Sequence, residues 1–136
     1  MTQTKPLRLM IDYNLVDKKI VSGLKSMEGV EAVTIIECGY AQNTADEILV
    51  NEGTVKFERL LLTKDKTTIT RGKYRPCTHG GVIVLKHRRP SPEIVLAAVS
   101  AFLQSSKTSV AVNHFTHINP DRAKIWTHTD PVEVRF

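Results

Sequence analysis

The sequence has no apolar run long enough to cross a bilayer. Its longest, at 81–85 and 94–99, fall far short of the roughly 18 to 20 residues that a spanning helix needs. Cysteine is scarce. Cys38 and Cys77 lie far apart and match no CxxC or zinc spacing, so free thiols are expected and a sulfur-held metal is not. The polar opening at 1–8 leads into no signal-peptide hydrophobic region, which predicts a cytoplasmic protein. There is no internal repeat and no low-complexity tract. What is present fits an ordinary folded domain: 41% hydrophobic and 24% charged residues in 136 positions predict one domain over 1–136, neither disordered nor fibrous.

Acidic residues are also scarce, but only in one place. The net charge is +5, and all of the basic excess falls after position 57. Within 64–89, Lys64, Lys66, Arg71, Lys73, Arg75, Lys86, Arg88 and Arg89 face a single acid, Asp65. A stretch this one-sided suits a polyanion, and a solvated loop that keeps the chain soluble is the alternative.

The apolar pattern alternates between two kinds of segment. LRLMI at Leu7–Ile11, VEAVTII at 30–36, ERLLLT at 58–63 and GVIVLK at 81–86 are short and β-branched or continuously apolar, which predicts buried strands. Leu15, Val16, Ile20, Val21, Leu24 and Met27 recur at helical spacing, with Asn14 as N-cap and Asp17 in the first turn. Thr44 and Glu47 have capping-box spacing ahead of a second helix that Gly53 is expected to stop. Ser91, Pro92 and Glu93 open a third, with Ile94, Val95, Ala98, Val99, Phe102 and Leu103 as its apolar face, ending before Lys107. The tail predicts two strands, 110–118 and 123–127, joined by a turn at 119–122.

Strands of this kind alternating with helices predict an α/β domain with a mainly parallel sheet and an antiparallel edge from the tail. Ligands of such sheets bind beyond the carboxyl ends of the strands. Asp12 follows the first predicted strand and Asp65 the third. Two carboxylates delivered to one edge repel unless a cation lies between them, and Mg²⁺ or Mn²⁺, which prefer oxygen ligands, would also activate water against a phosphodiester. A helix-borne acid would complete the set. Asp46 and Glu47 are adjacent and point about 100° apart; the capping box reserves Glu47, leaving Asp46. Singly, each acid also has a local structural role available, as a turn or helix cap.

LMIDYNL at 9–15, TADEIL at 44–49, LLTKDK at 61–66 and GVIVLK at 81–86 resemble, in order and spacing, the small PIN-like domains of prokaryotes. The resemblance covers 7–106, leaving a C-terminal β tail at 109–136. It implies a three-layer PIN-like fold with a mainly parallel central sheet flanked by helices, and a Mg²⁺- or Mn²⁺-dependent endoribonuclease, often the toxin of a toxin–antitoxin pair. By resemblance Asp12, Asp46 and Asp65 hold the metal and serve catalysis; the one-sided charge of the sequence makes Lys64, Lys66, Arg71, Lys73 and Arg75 the expected RNA contacts, with Tyr74, interleaved among the cations, as a base-stacking candidate. The partners expected on this reading are RNA and an antitoxin protein; the sequence leaves the oligomeric state open, a homodimer included, and the short apolar runs predict no membrane partner. Relatives often carry a further Asp just after the position of Asp65, where this chain has Thr67 and Thr68. That departure supports the alternative of a catalytically inactive PIN-like domain that binds RNA or a protein through the same basic surface.

Other chemistries have less behind them. Asn14 stands where a haloacid-dehalogenase-type phosphatase needs its second acid, and Asp12 lacks the acidic neighbour of a receiver domain. His114 and His117, three apart in a predicted strand, point to opposite faces and share no metal. His79, His87 and His128 have no partner spacing, and all five histidines are expected at the surface. Trp126 and Phe115 are expected to pack.

Overall fold

The continuously apolar segments form the middle of one sheet, where both faces are covered. The computed structural model describes residues 5–64, 78–87, 90–105, 107–127 and 130–136. The strands are β1 (Leu7–Ile11), β2 (Val30–Thr34), β3 (Leu60–Thr63), β4 (Val82–Leu85), β5 (Phe115–Ile118), β6 (Arg122–Trp126) and β7 (Val132–Arg135). They make a seven-stranded sheet in the order β2-β1-β3-β4-β5-β6-β7. The first five run parallel, with Ile11 beside Thr34 and Leu62, and Ile83 beside Leu62 and Thr116. β6 and β7 add antiparallel. The fold is therefore α/β with a mostly parallel sheet, as the pattern predicts.

Alternation along each strand divides the core. One face carries Leu9, Ile11, Leu60, Leu62, Ile83, Leu85, Ile118 and Ile125, packed under Ile20 and Leu24 of α1 (Lys18–Ser26) and Val95, Val99 and Phe102 of α4 (Pro92–Gln104). The other carries Met10, Leu61, Val82, Val84 and Phe115 under Leu49 and Val50. α4 begins as its sequence predicts: the Ser91 side chain accepts from Ile94 N–H and Pro92 takes the first turn.

Local expectations fail in four places, each for a visible reason. The Asn14 side chain does not cap α1. Asp12 caps a 3-10 turn over Tyr13–Leu15, and Asp17 caps α1 through Lys19 and Ile20 N–H. The Thr44–Glu47 capping box does not form at Thr44, whose hydroxyl donates to Ala41 O at 2.7 Å, and the helix starts one residue later, with Ala45 at the cap position. Gly53 does not stop that helix. From α2 (Asp46–Ile48) it passes through a π turn, Leu49–Gly53, into α3 (Thr54–Lys56), because Gly53 lets the turn lie against Met10 and Tyr40, where a Cβ would come within 3.0 and 3.3 Å. The tail holds more than two strands: 110 and 111 belong to a short helix, α5 (Thr108–Ala111), β5 is the fifth parallel strand, and β7 closes the sheet.

Gly81 enters β4 at φ +124°, and a Cβ there would lie 2.8 Å from Ala111 O. Gly39 has φ +93° with open space around it. Gly81→Ala should lower stability by about 1–3 kcal/mol and by more than Gly39→Ala in parallel denaturant titrations. Equal costs for the two would show that the approach of α5 to β4 is not tight.

Candidate functional site

Burying a carboxylate requires donors. Asp12 is only 7% exposed, and its position immediately after β1 supplies them. Its N–H continues the ladder to Leu62 O at 2.9 Å, which sets the side chain beside the last residue of β3. Thr63, fully buried, donates its hydroxyl to Asp12 Oδ2 at 2.8 Å. Asn14 Nδ2 donates to the same oxygen at 3.3 Å and to Thr63 Oγ1 at 3.0 Å. Tyr13 N–H donates to Oδ1 at 2.8 Å. Asn14 Oδ1 in turn accepts from Lys64 N–H at 3.3 Å, so one amide side chain ties the turn after β1 to the end of β3.

Asp46 is the first residue of α2 and is half-buried, whereas Glu47 beside it is exposed. That difference, rather than the absent capping box, distinguishes the two acids. The far end of this helical stretch is fixed at the amino end of β4, where Gly80 N–H donates to Thr54 Oγ1 at 2.8 Å and Arg59 N–H to Thr54 O at 3.1 Å. Its start, with Asp46, therefore lies toward the carboxyl edge of the sheet that carries Asp12, and there the acid also complements the positive end of the helix. No bond joins Asp46 to Asp12 directly among the contacts described. Asp65, Lys66, Arg71, Lys73, Tyr74 and Arg75 lie outside the described residues, as do Cys77, Arg88, Arg89 and His128. Lys64 is described and exposed. Among the described residues no three His, Cys, Asp or Glu side chains gather closely enough to hold a metal.

Glu37, just past β2, is a further acid at this end of the sheet. Its hydrogen bond from Lys25 Nζ, 2.7 Å long, and a second from Thr34 N–H hold its carboxyl below the usual range, and it serves the turn. Burial raises the Cys38 thiol, which argues against a reactive thiolate. Sequence reasoning did not identify Thr63, because a threonine closing an apolar strand carries no signal of its own until the register sets it against Asp12. Asn14, read as a cap, instead bridges the site.

The histidines sit elsewhere. His79 is 2% exposed, not at the surface, and its Nδ1 accepts from Gly81 N–H at 3.0 Å, placing the proton on Nε2. It lies at the amino end of β4, opposite Asp12. His114 is not in a strand: its Nδ1 lies 2.8 Å from Val110 O and 3.0 Å from Val112 O. Trp126 packs as expected, with Nε1 donating to His117 Nδ1 at 3.4 Å and Lys124 Nζ 4.3 Å from its ring.

Compared with protein-family models, with curated proteins and with solved structures, the chain matches none. Among the described residues, no helix is long and apolar enough to cross a membrane.

Burial, with a contribution from nearby His114, pushes the His79 pKa below its ordinary 6.5. Below that value the unfolded chain takes up a proton that the folded imidazole resists, so stability is lost as pH falls through the unfolded pKa. His79→Asn supplies Oδ1 in place of Nδ1 but cannot titrate. Melting temperature should fall less steeply from about pH 7 to 5 in this variant than in the parent; identical slopes would remove His79 from the acid response.

Proposed function

We propose that the chain is a PIN-like, metal-dependent endoribonuclease in which Asp12, Asp46 and Asp65 hold Mg²⁺ or Mn²⁺ and the basic residues of 64–75 bind the RNA backbone. The reading rests on one observation above others: a carboxylate buried at the carboxyl end of a parallel strand and fixed by Tyr13, Asn14 and Thr63. A capping role alone would need only the Tyr13 contact. Carboxylate oxygens suit a hard divalent ion, and a neighbouring amide and hydroxyl that fix a ligand's orientation are the usual outer layer of such a site. When bound, the ion would polarise water and offset the charge developing on a phosphodiester. Asp12 would bind, Asn14 and Thr63 would hold it in place, and Lys64 with the cations beyond it would position phosphates. A three-layer PIN-like arrangement, a cytoplasmic location and an antitoxin partner belong to the same proposal.

Thr67 and Thr68, where relatives often have an acid, favour the second reading, an inactive domain that binds RNA through the same surface. Chemistry separates the two. Under the enzyme reading, Mn²⁺ raises the melting temperature through binding to the folded state, and Asp12→Asn abolishes both that rise and RNA cleavage. Asp65→Asn loses cleavage yet keeps RNA binding, while neutralising Arg71, Lys73 and Arg75 together weakens binding and flattens its salt dependence. Thr63→Val, which removes the hydroxyl at nearly constant shape, should reduce Mn²⁺ affinity by about 10- to 100-fold. Calorimetric titration checks the metal, and a cleavage gel run beside a binding titration checks the RNA. Cleavage by Asp65→Asn equal to the parent would sink the enzyme reading.

A further inference from the structure

β7 ends the sheet, and no strand lies beyond it among the described residues. Its main-chain groups face two ways. Phe136 N–H points inward to Asp121 O at 3.0 Å, and inward and outward groups alternate along an antiparallel strand, so Glu133 and Arg135 direct their N–H and C=O away from β6. The side chains alternate as well. Val132 and Val134, opposite Ile125 and Ala123, lie on the face covered by α4, and Phe136 follows them there. Glu133 and Arg135 lie on the other face. Phe136 is 44% exposed and, with Ile94, Ala97 and Ala101 of α4, lines a groove of about 580 Å³.

This edge is complementary to itself. When a second copy is laid antiparallel about Val134, residue 133 falls opposite 135, 134 opposite 134 and 132 opposite 136. The outward groups of Glu133 and Arg135 then meet and exchange N–H···O bonds in both directions, and each Glu133 carboxylate faces the Arg135 guanidinium of the other copy. On the apolar face valine meets valine, and Val132 meets Phe136 beside the α4 groove. Neighbouring registers do not offer this. A pairing displaced so that 133 faces 134 sets outward groups against inward ones, and pairing about 133 or 135 sets like charges directly opposite, which is destabilising. Charges on an edge strand ordinarily prevent such pairing, but a single sign would achieve that and this edge carries both. Among the described residues Glu133 makes two long, exposed ion pairs, 3.7 Å to Arg122 and 3.5 Å to Arg135, each worth little.

We infer that β7 is a homodimer interface, joining two seven-stranded sheets into one with a twofold axis at Val134. The dimer does not depend on the proposed nuclease activity. It is tested by sedimentation velocity on the full chain across the micromolar range. The parent should dimerise, and Glu133→Arg, which sets arginine against arginine at both pairs, should raise the dissociation constant by about tenfold or more. The double swap E133R/R135E restores opposite charges in the same register and should return the parent's dimer. Melting curves check that each variant folds. If Glu133→Arg does not, amide exchange on the parent decides: exchange at Glu133 and Arg135 should slow as concentration rises, while inward-facing Val134 stays unchanged. A monomer at every concentration, a dimer indifferent to Glu133→Arg, a double swap that stays monomeric, or amides at 133 and 135 insensitive to concentration would each overturn the inference.

Discussion

A negative charge taken out of water at the end of a strand requires several donors in one place, and Asp12 obtains them only if β1 and β3 run parallel and in one register. The pairing of Ile11 with Leu62 brings Thr63 beside the carboxylate. The sharp turn that follows brings Tyr13 N–H and the Asn14 amide. A slip of one residue would turn Thr63 to the other face and leave a buried charge short of a donor. The same contacts that satisfy the buried carboxylate thus orient the group on which the proposed chemistry relies.

The opposite edge of the sheet is closed by different means. Arg8 donates from its guanidinium to Glu58 O and Phe57 O and pairs with Glu31 at 2.9 Å, while Arg59 donates to Leu9 O and Glu31 O. Burial lowers the Arg59 pKa without discharging a guanidinium. His79 and Gly81 finish that end. These cations serve the fold. The one-sided basic stretch of the sequence begins at Lys64, whose N–H donates to Asn14 beside Asp12.

The parts of this arrangement that were legible in the sequence are those set by local pattern. β1, β3 and β4 are continuous apolar runs, and α4 is announced by Ser91 and Pro92. Asp12 and Asp46 stand out because acids at strand and helix ends are conspicuous. What stayed hidden depends on distant partners. Gly53 has helical backbone angles and stands inside the helical stretch where Met10 and Tyr40 leave little room for a side chain, and β5 joins the parallel set because α4 carries the chain back over the sheet. β7 is four residues long and follows Pro131, so its Val-Glu-Val-Arg alternation is too short to announce a strand until it pairs with β6. Thr63 belongs to the same class: its role is created by register.

A divalent ion held at Asp12 is the proposal on which the functional reading turns. Amide spectra of the isotopically labelled protein, recorded while substoichiometric Mn²⁺ is added, test it directly, since a paramagnetic ion broadens only nearby signals. The expected result is selective loss of the Asp12, Tyr13, Asn14, Lys64 and Asp46 amides while those of His79, Gly81 and Asn113, at the other end of the sheet, stay sharp. Broadening centred at that other end, or none at the Asp12 edge, would contradict the account.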